Sequence, residues 1–220
     1  MNPVESAPVS SLEIELTSPE SSIWKGFTAS TRNQVNRAIR EGMVFQCWSQ
    51  PDKAVIDEFF SFHRQFATER GFGTVDPEWM REYSAQHALT LTRASTSAGK
   101  VLVWHSYYRN QRWVCQIQSV SLFASQEHKE SRNATARANR FLHWMDILEF
   151  QKSSTAHFDF GGWYSGDRDE KLLRVNAFKE EFGGVKTQRY ASTIAVTFKG
   201  KLFLQARKFL RRRPAQLHWV

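Results

Sequence analysis

The chain has 220 residues, of which 41% are hydrophobic and 14% aromatic. This length suits one compact domain with a substantial core better than two domains that each need their own. The apolar content excludes a chain too polar to fold, and no apolar run approaches the roughly 18 residues of a membrane-spanning helix. Residues 1–20 are polar and lack the apolar run of a signal peptide, so we expect a cytoplasmic protein.

The net charge of +8 is concentrated at one end of the chain. Residues 199–220 contain seven lysines and arginines and no acid, which leaves a net charge of +1 for residues 1–198. A localised basic tail differs from the distributed basic face of a nucleic-acid-binding domain. The body of the domain is therefore expected to be nearly neutral.

Hydrophobic periodicity predicts the following elements in the first half of the chain, after a Ser/Pro-rich leader. In chain order they are a strand at 12–16, a helix at 19–41, a strand at 43–48, a long helix from Pro51 to Arg70 and a shorter helix from about Pro77. Gly42 and Pro51 are typical of a helix end and a helix start.

The second half alternates differently, with three strand patterns in succession. The elements are strands at 89–94, 100–108 and 113–122, a helix at 133–151, a strand at 157–160, a helix from Glu170 to Phe182, strands at 187–191 and 193–198, and a basic terminal helix. This order predicts an α/β (α+β) fold, a mixed sheet of about seven strands with helices on both faces. We expect a leader and first strand at 1–18, a single domain at 19–198, and a basic amphipathic helix or tail at 199–220.

Several classes of chemistry lack their motifs. The sequence has no Gly-rich phosphate loop ending in G-K-[ST], no G-x-S-x-G elbow, no paired C-x-x-C and no H-E-x-x-H. We therefore expect no metal site and no serine hydrolase. His63 lies on the apolar face of its helix and is predicted to be a core side chain. Cys47 and Cys115 are too few for a disulfide scaffold and are predicted to be buried, reduced thiols.

Four sequence blocks carry a resemblance to a known family. In chain order they are Trp24 with S-T-R-N-Q-V-N-R-A at 30–38, A-N-R-F-L-H-W at 138–144, F-D-F-G-G at 158–162, and A-F-K-E-E-F-G-G at 177–184 followed by Tyr190. Together they resemble the Fem-type aminoacyltransferases, GNAT-fold enzymes that modify bacterial cell-envelope precursors. The glycines of the last two blocks also suit turns that need positive φ.

The resemblance implies where an acyl donor would lie. In GNAT-type enzymes the donor enters a gap between two central strands, here 113–122 and 157–160. We therefore expect these strands to be parallel neighbours that separate at their C-terminal ends. Backbone amides exposed there are suited to bind the oxyanion of an acyl-transfer intermediate.

The resemblance also implies a site for acyl-coenzyme A at the start of the next helix, where free N–H groups and the helix dipole attract a pyrophosphate. The segment consists of Ser131, Arg132, Asn133, Ala134, Thr135 and Ala136. It contains no glycine, unlike the family pattern Q/R-x-x-G-x-G/A. Asn176 is assigned to the same cofactor site.

Four side chains are predicted to be catalytic. Asp159 is expected to order or deprotonate the acceptor amine; alternatively, it caps the turn at Gly161. Tyr164 and Tyr190 are candidates to protonate a leaving thiolate or to line the acceptor pocket. His143 is expected to face the acceptor or to make a hydrogen bond of no catalytic importance.

A further set is predicted to bind substrate. These residues are Arg32, Arg37, Asn139, Gly161, Gly162, Trp163 and Lys179. Guanidinium groups bind phosphate or carboxylate in a bidentate manner, although the two arginines also suit an ordinary solvated face.

Three functions remain open at this point. The first is an N-acyltransferase that moves an acyl group from acyl-CoA (acetyl-CoA) to an amino-sugar or amino-acid amine in envelope or metabolite assembly. The second is a Fem-like enzyme that uses aminoacyl-tRNA in peptidoglycan modification, although Fem enzymes carry two such domains. The third is a non-catalytic binding protein.

The expected partners follow from these readings. They are a small-molecule or lipid-linked acceptor and, for the Fem-like function only, tRNA. An apolar stripe in the basic tail suits either peripheral binding to the anionic inner face of the membrane or a helix packed on its own domain with a solvated basic side. The stripe consists of Leu202, Ala206, Phe209 and Leu210.

Overall fold

A computed structural model describes residues 5–70, 77–122 and 128–210. Its elements, in chain order, are β1 (Glu5–Glu15), α1 (Glu20–Gly26), α2 (Ala29–Arg40), β2 (Val44–Trp48), α3 (Lys53–Arg70), α4 (Glu78–Ala85), β3 (Leu89–Ser95), β4 (Val101–Arg109), β5 (Trp113–Ser121), α5 (Lys129–Lys152), β6 (His157–Gly162), α6 (Glu170–Glu180), β7 (Val185–Thr193) and α7 (Phe198–Leu210). None of the described helices is long and apolar enough to cross a membrane.

The strands form one mixed sheet of seven strands in the order β2-β3-β4-β5-β6-β1-β7. Neighbouring strands are antiparallel except β5 and β6, which are parallel. The mixed sheet predicted from the sequence is confirmed. The parallel pair lies between two antiparallel parts of the sheet and is therefore its unusual feature.

Helices cover both faces of this sheet. On one face, Phe59 of α3 packs edge-to-face against Trp104 of β4. On the other face, Tyr107 of the same strand packs against Phe150 of α5. Helix α5 also contacts α2, β3 and β4, so it is the central helix of its face.

The core on the α5 face is rich in aromatic rings. Phe27, Trp144, Phe160 and Phe182 are all buried there, and their rings make edge-to-face or tilted contacts. Each such side chain contributes about 1.5–3 kcal/mol through burial, and aromatic pairing adds about 0.5–1.5 kcal/mol. Phe182 lies two residues after the end of α6, so this packing fixes the C-terminal end of α6 against α5.

The structure corrects four predicted boundaries. The helix predicted at 19–41 is two helices, because Phe27 is extended and buried and Thr28 caps α2 by accepting a hydrogen bond from the Thr31 N–H. Strand β1 begins at Glu5 within the predicted leader, since it pairs with β7 from Glu5 to Glu13. Helix α5 begins at Lys129, four residues before the predicted start. The strand predicted at 193–198 is wrong, because β7 ends at Thr193 and α7 begins at Phe198.

Other predictions concern single side chains. His63 is buried beside Phe59 and Phe60, as predicted for a core residue. Cys47 and Cys115 are free and partly buried. A terminal helix is present, but Ala206, Phe209 and Leu210 of the predicted stripe have side chains outside the described part of the chain.

Two glycines separate the effects of positive φ and close packing. Gly183, after α6, has φ +72°, and a Cβ there would lie 2.8 Å from the Gly26 carbonyl oxygen. Gly99, in the β3–β4 turn, has φ +84° and nothing within 4 Å of an added Cβ. We predict that Gly99→Ala costs about 1–2 kcal/mol, the left-handed penalty, and that Gly183→Ala costs at least about 1 kcal/mol more. Urea unfolding measures both; equal losses would contradict the close approach at Gly183.

Candidate active site

The parallel strands β5 and β6 pair only at their beginnings. Three residue pairs form the ladder, from Trp113–His157 to Cys115–Asp159, and no further pairing follows although β5 continues to Ser121. A register shift in β5–β4 pairing leaves Ile117 as an extra residue, which bends β5. The parallel, separating pair expected from the resemblance is therefore confirmed. We call the region beyond Cys115–Asp159 the opening.

Gly161 shapes the β6 side of the opening. Its φ of +71° bends the strand, and an added Cβ would lie 2.5 Å from the Gln116 carbonyl oxygen. Only glycine fits both the conformation and this approach to β5. Gly161 therefore has a structural role at the opening that a larger residue cannot take.

The Asp159 carboxylate stabilises this bend. Its Oδ1 accepts hydrogen bonds from the Gly161 N–H at 2.7 Å and from the Ser11 hydroxyl. Burial raises the pKa of Asp159, and these two hydrogen bonds oppose that rise. This geometry is that of the capping alternative, and Asp159 is nearly inaccessible to solvent.

Lys179, on α6, brings a positive charge to the opening. Its Nζ donates to the carbonyl oxygens of Gly161 at 3.0 Å and Gly162 at 2.5 Å. Burial lowers the pKa of Lys179 to about 8, while the nearby Asp159 carboxylate opposes the change. An ammonium has three N–H donors, so one remains beyond the two carbonyl contacts.

His143 and Asn139 of α5 belong to a buried polar network. His143 is buried against Phe160 and Phe182, donates from Nδ1 to the Asn139 carbonyl oxygen at 2.9 Å, and lies 3.2 Å through Nε2 from Gln116 Nε2. Burial holds its pKa well below the usual value, so the ring is neutral. The structure thus places His143 inside the domain, where it positions its neighbours.

The sequence reasoning missed the deepest members of this network. His105 Nδ1 lies 2.7 Å from Asp146 Oδ2, and the Tyr107 hydroxyl donates to the same oxygen at 2.6 Å. His105 Nε2 lies 2.9 Å from the Asn139 side-chain oxygen. The available signals were His105 and Tyr107 on one face of a strand, and Asp146 seven residues after Asn139 on one helix face.

The segment after β6 is tied to α6. The Asn176 side chain makes two hydrogen bonds to the backbone of Tyr164. Its Oδ1 accepts from the Tyr164 N–H at 3.1 Å, and its Nδ2 donates to the Tyr164 carbonyl oxygen at 2.7 Å. The Tyr164 hydroxyl accepts from the Asp169 N–H at 3.3 Å. Trp163 lies under the Lys186 ammonium, which is 4.2 Å from the ring centre. Asn176 therefore holds the backbone of this segment against α6, and its amide group is not free to bind a cofactor.

Three predicted residues lie away from the opening or in other contacts. Tyr190 is on the edge strand β7, separated from β6 by β1, and is 68% exposed. Arg32 donates to the carbonyl oxygens of Lys25 and Phe27. Arg37 forms ion pairs with Glu41 and Glu130. Both arginines thus have partners within the protein.

The segment predicted to hold a pyrophosphate lies inside α5. Because the Arg132 N–H already bonds to the His128 carbonyl oxygen, the backbone N–H groups of 133–136 are internal to the helix. The Thr135 hydroxyl donates back to Ser131. In the first turn, Glu130 adds a negative charge that pairs with Arg137. Residues 133–136 therefore do not fit a backbone pyrophosphate site.

Comparison with known proteins relates this architecture to solved structures. No family model and no curated protein matches the sequence. FemX superimposes with a TM-score of 0.69 at 12% identity over 93% of this chain and 64% of FemX. The chain thus spans less than two thirds of the length of FemX.

Two further structures have the same fold. One is the C-terminal domain of an Agrobacterium fabrum protein assigned as a lysylphosphatidylglycerol synthetase, with TM-score 0.56, 14% identity, and coverage of 94% of this chain and 66% of that one. The other is L-PGS from Bacillus licheniformis, with TM-score 0.54, 14% identity, and coverage of 94% and 67%. The chain therefore has a fold similar to that of FemX and of these two structures.

The charge state of Lys179 is directly measurable. We predict that its Cε resonance titrates near pH 8 in ¹³C-lysine NMR, below the usual lysine value of about 10.4. Asp159→Asn should lower the Lys179 midpoint further, because it removes the negative charge that raises it. A Lys179 midpoint at the usual lysine value of about 10.4 would contradict the buried position of the ammonium.

Proposed function

We propose that the protein transfers an acyl group from an activated ester to an amine at the opening between β5 and β6. The observation that carries this proposal is the Lys179 ammonium, buried beside Gly161 and Gly162 where the parallel pair separates. A fixed positive charge at this place suits a reaction in which negative charge develops on a carbonyl oxygen. The GNAT-like fold supports a transferase of the acyltransferase kind.

The reaction requires no covalent intermediate on the protein. The acceptor amine attacks the acyl carbon, its carbonyl oxygen becomes an oxyanion, and the ester C–O bond then breaks. The leaving oxygen takes the proton that the amine loses. The remaining N–H of Lys179 donates to the oxyanion, and alignment of the two substrates supplies much of the rate.

Asp159 is assigned a positioning role in this scheme. Its Oδ1 accepts from both the Gly161 N–H and the Ser11 hydroxyl, and the carboxyl group is nearly inaccessible to solvent, which leaves it poorly placed to act as the base. Its negative charge raises the pKa of Lys179 and so keeps the ammonium charged near neutral pH. The same contacts hold the bend at Gly161.

The donor that this site supports best is an aminoacyl ester, as carried by aminoacyl-tRNA in the Fem-like reading. Acyl-CoA would need free N–H groups for its pyrophosphate, and those of 133–136 are within α5. Glu130 in the first turn of α5 would also repel that group. The structural likeness to FemX supports the same choice.

The transfer assay uses tRNA charged with a radiolabelled amino acid and a panel of envelope-precursor amines. Lys179→Met should lower transfer roughly 10²-fold or more, because the oxyanion loses its charged donor. Lys171→Met, on the exposed side of the same helix, should leave transfer unchanged. Thermal melting of both variants checks folding. Unchanged transfer by Lys179→Met would refute the site, and transfer from acetyl-CoA instead of tRNA would refute the donor.

We also propose that the C-terminal end of the domain binds an anionic lipid surface, which would bring the site to a lipid-linked acceptor. Phe198 and Phe203 are 76% and 65% exposed, with the exposed Lys199 and Lys201 beside them. Leu204 is buried, so α7 packs on the domain and leaves this apolar and basic side free. Basic residues near an anionic surface contribute about 1 kcal/mol each.

Sedimentation with phosphatidylglycerol and phosphatidylcholine vesicles tests this surface. The full chain should bind the anionic vesicles only, and salt should weaken the binding. Phe203→Ser should lower the affinity for anionic vesicles roughly tenfold, because an aromatic ring that would be buried in the lipid surface is lost. A chain ending at Gly200 should not bind. Equal binding by the full and shortened chains, or none by either, would refute the membrane surface.

A further inference from the structure

The strongest unexplained feature of the domain is the polar network beneath α5. His105, Tyr107 and Asp146 have no exposed side-chain surface, yet they lie between the sheet and its central helix. Burying an acid, an imidazole and a phenol costs free energy unless each group is hydrogen-bonded, and apolar side chains would pack there more stably. The network therefore calls for a role other than stability.

This network leads from the interior towards the opening. Asp146 contacts His105, and His105 contacts the Asn139 carboxamide. Ser119, opposite His105 in the β4–β5 pairing, donates to the same Asn139 oxygen at 3.4 Å and is exposed. Ser119 lies in the part of β5 that no longer pairs with β6. Asn139 and the exposed Ser119 are thus the outermost members of the chain of contacts.

The orientation of Asn139 depends on the proton of the His105 ring. When Nε2 carries a hydrogen, it donates to the Asn139 oxygen, as the present arrangement requires, and the Asn139 NH₂ group is left to face away from His105. When Nε2 is bare, it needs a donor, and the carboxamide must rotate to offer its NH₂. The rotation exchanges a donor for an acceptor on the outer side of Asn139.

The proton on Nε2 depends in turn on Asp146. In the first state the Asp146 carboxyl group is protonated and donates to Nδ1 of His105, and Nε2 carries the ring hydrogen. In the second state the pair has lost one proton. The remaining hydrogen is then on Nδ1 and faces the Asp146 carboxylate, so Nε2 is bare. Asp146 Oδ1 has no hydrogen-bond partner among the described residues, which penalises the carboxylate further. The pair therefore has two protonation states, each with its own Asn139 orientation.

We propose that Asp146 and His105 are positioning residues that set, through their shared proton, whether Asn139 presents a hydrogen-bond donor or an acceptor to the acyl substrate at the opening. This inference rests on the proposed function for the identity of the substrate only. In the protonated state the Asn139 NH₂ group binds a carbonyl oxygen of the substrate. In the deprotonated state it cannot, so substrate binding weakens.

The groups around Asp146 set the pH of the change. His105 and Tyr107 face it from β4, Thr92 from β3, and His143 and Glu149 from α5. Burial raises the pKa of Asp146 to about 7, while the Tyr107 hydrogen bond and His143 oppose that rise. Burial also lowers the pKa of His105 to about 3, so the ring does not carry a lasting positive charge. Loss of the shared proton is therefore expected near neutral pH.

NMR of the full chain with ¹⁵N-labelled histidine and asparagine tests the proposal without any substrate. Between about pH 6 and pH 8, His105 Nε2 should change from protonated to bare, and the Asn139 side-chain amide should shift with the same midpoint. Asp146→Asn should abolish both changes. A constant His105 signal, or an Asn139 amide that does not follow it, would overturn the proposal.

A conservative variant keeps the test decisive if Asp146→Asn fails to fold. Tyr107→Phe removes the hydrogen bond that lowers the pKa of Asp146, so both midpoints should move together to higher pH. Lys179→Met should leave both midpoints unchanged, since Lys179 is not in the network. If Lys179→Met loses transfer but keeps the pH-dependent change of His105 and Asn139, the two proposals are separated. If the midpoints of His105 and Asn139 do not move in Tyr107→Phe, the present proposal is refuted.

Discussion

The separation of β5 from β6 after Cys115–Asp159 is the constraint on which the rest of the domain depends. A parallel pair at the centre of a sheet normally continues its ladder, because unpaired backbone groups are costly when buried. Here the positive φ of Gly161 interrupts the regular conformation of β6, and the extra residue Ile117 bends β5. The interruption thus involves both strands, and polar side chains lie at each of them, Lys179 beside β6 and Asn139 beside Ser119 of β5.

Charged side chains lie beside this opening between β5 and β6. Lys179 is held by two carbonyl oxygens of β6, so its positive charge is fixed by the same bend that creates the opening. Asp159 stabilises both the bend and the charge. On the other side, the network from Asp146 to Asn139 approaches the unpaired half of β5. Under the two proposals, an acyl group between the strands contacts the Lys179 ammonium and the Asn139 carboxamide.

The sequence predicted the parts of the fold that depend on local pattern. Periodicity and turn residues located β2 to β6 and parts of β1 and β7, but they also predicted a strand at 193–198 that is absent. The F-D-F-G-G block located the bend of β6. It could not separate α1 from α2, because the break at Phe27 is stabilised by tertiary packing against Trp144 and Phe182. It also could not show that Arg37 forms an ion pair with Glu130, which lies far away in the chain. His105 and Asp146 were missed because their pairing joins a strand to a helix that only the fold brings together.

The central claim is that acyl transfer occurs beside Lys179, in the opening between β5 and β6. A crystal structure with a phosphonate analogue of the tetrahedral intermediate, made from the aminoacyl-adenosine end of the donor, measures this directly. The account predicts a phosphonate oxygen at hydrogen-bond distance, about 3 Å, from Lys179 Nζ. An analogue bound elsewhere on the domain, with Lys179 still contacting only Gly161 and Gly162, would contradict it.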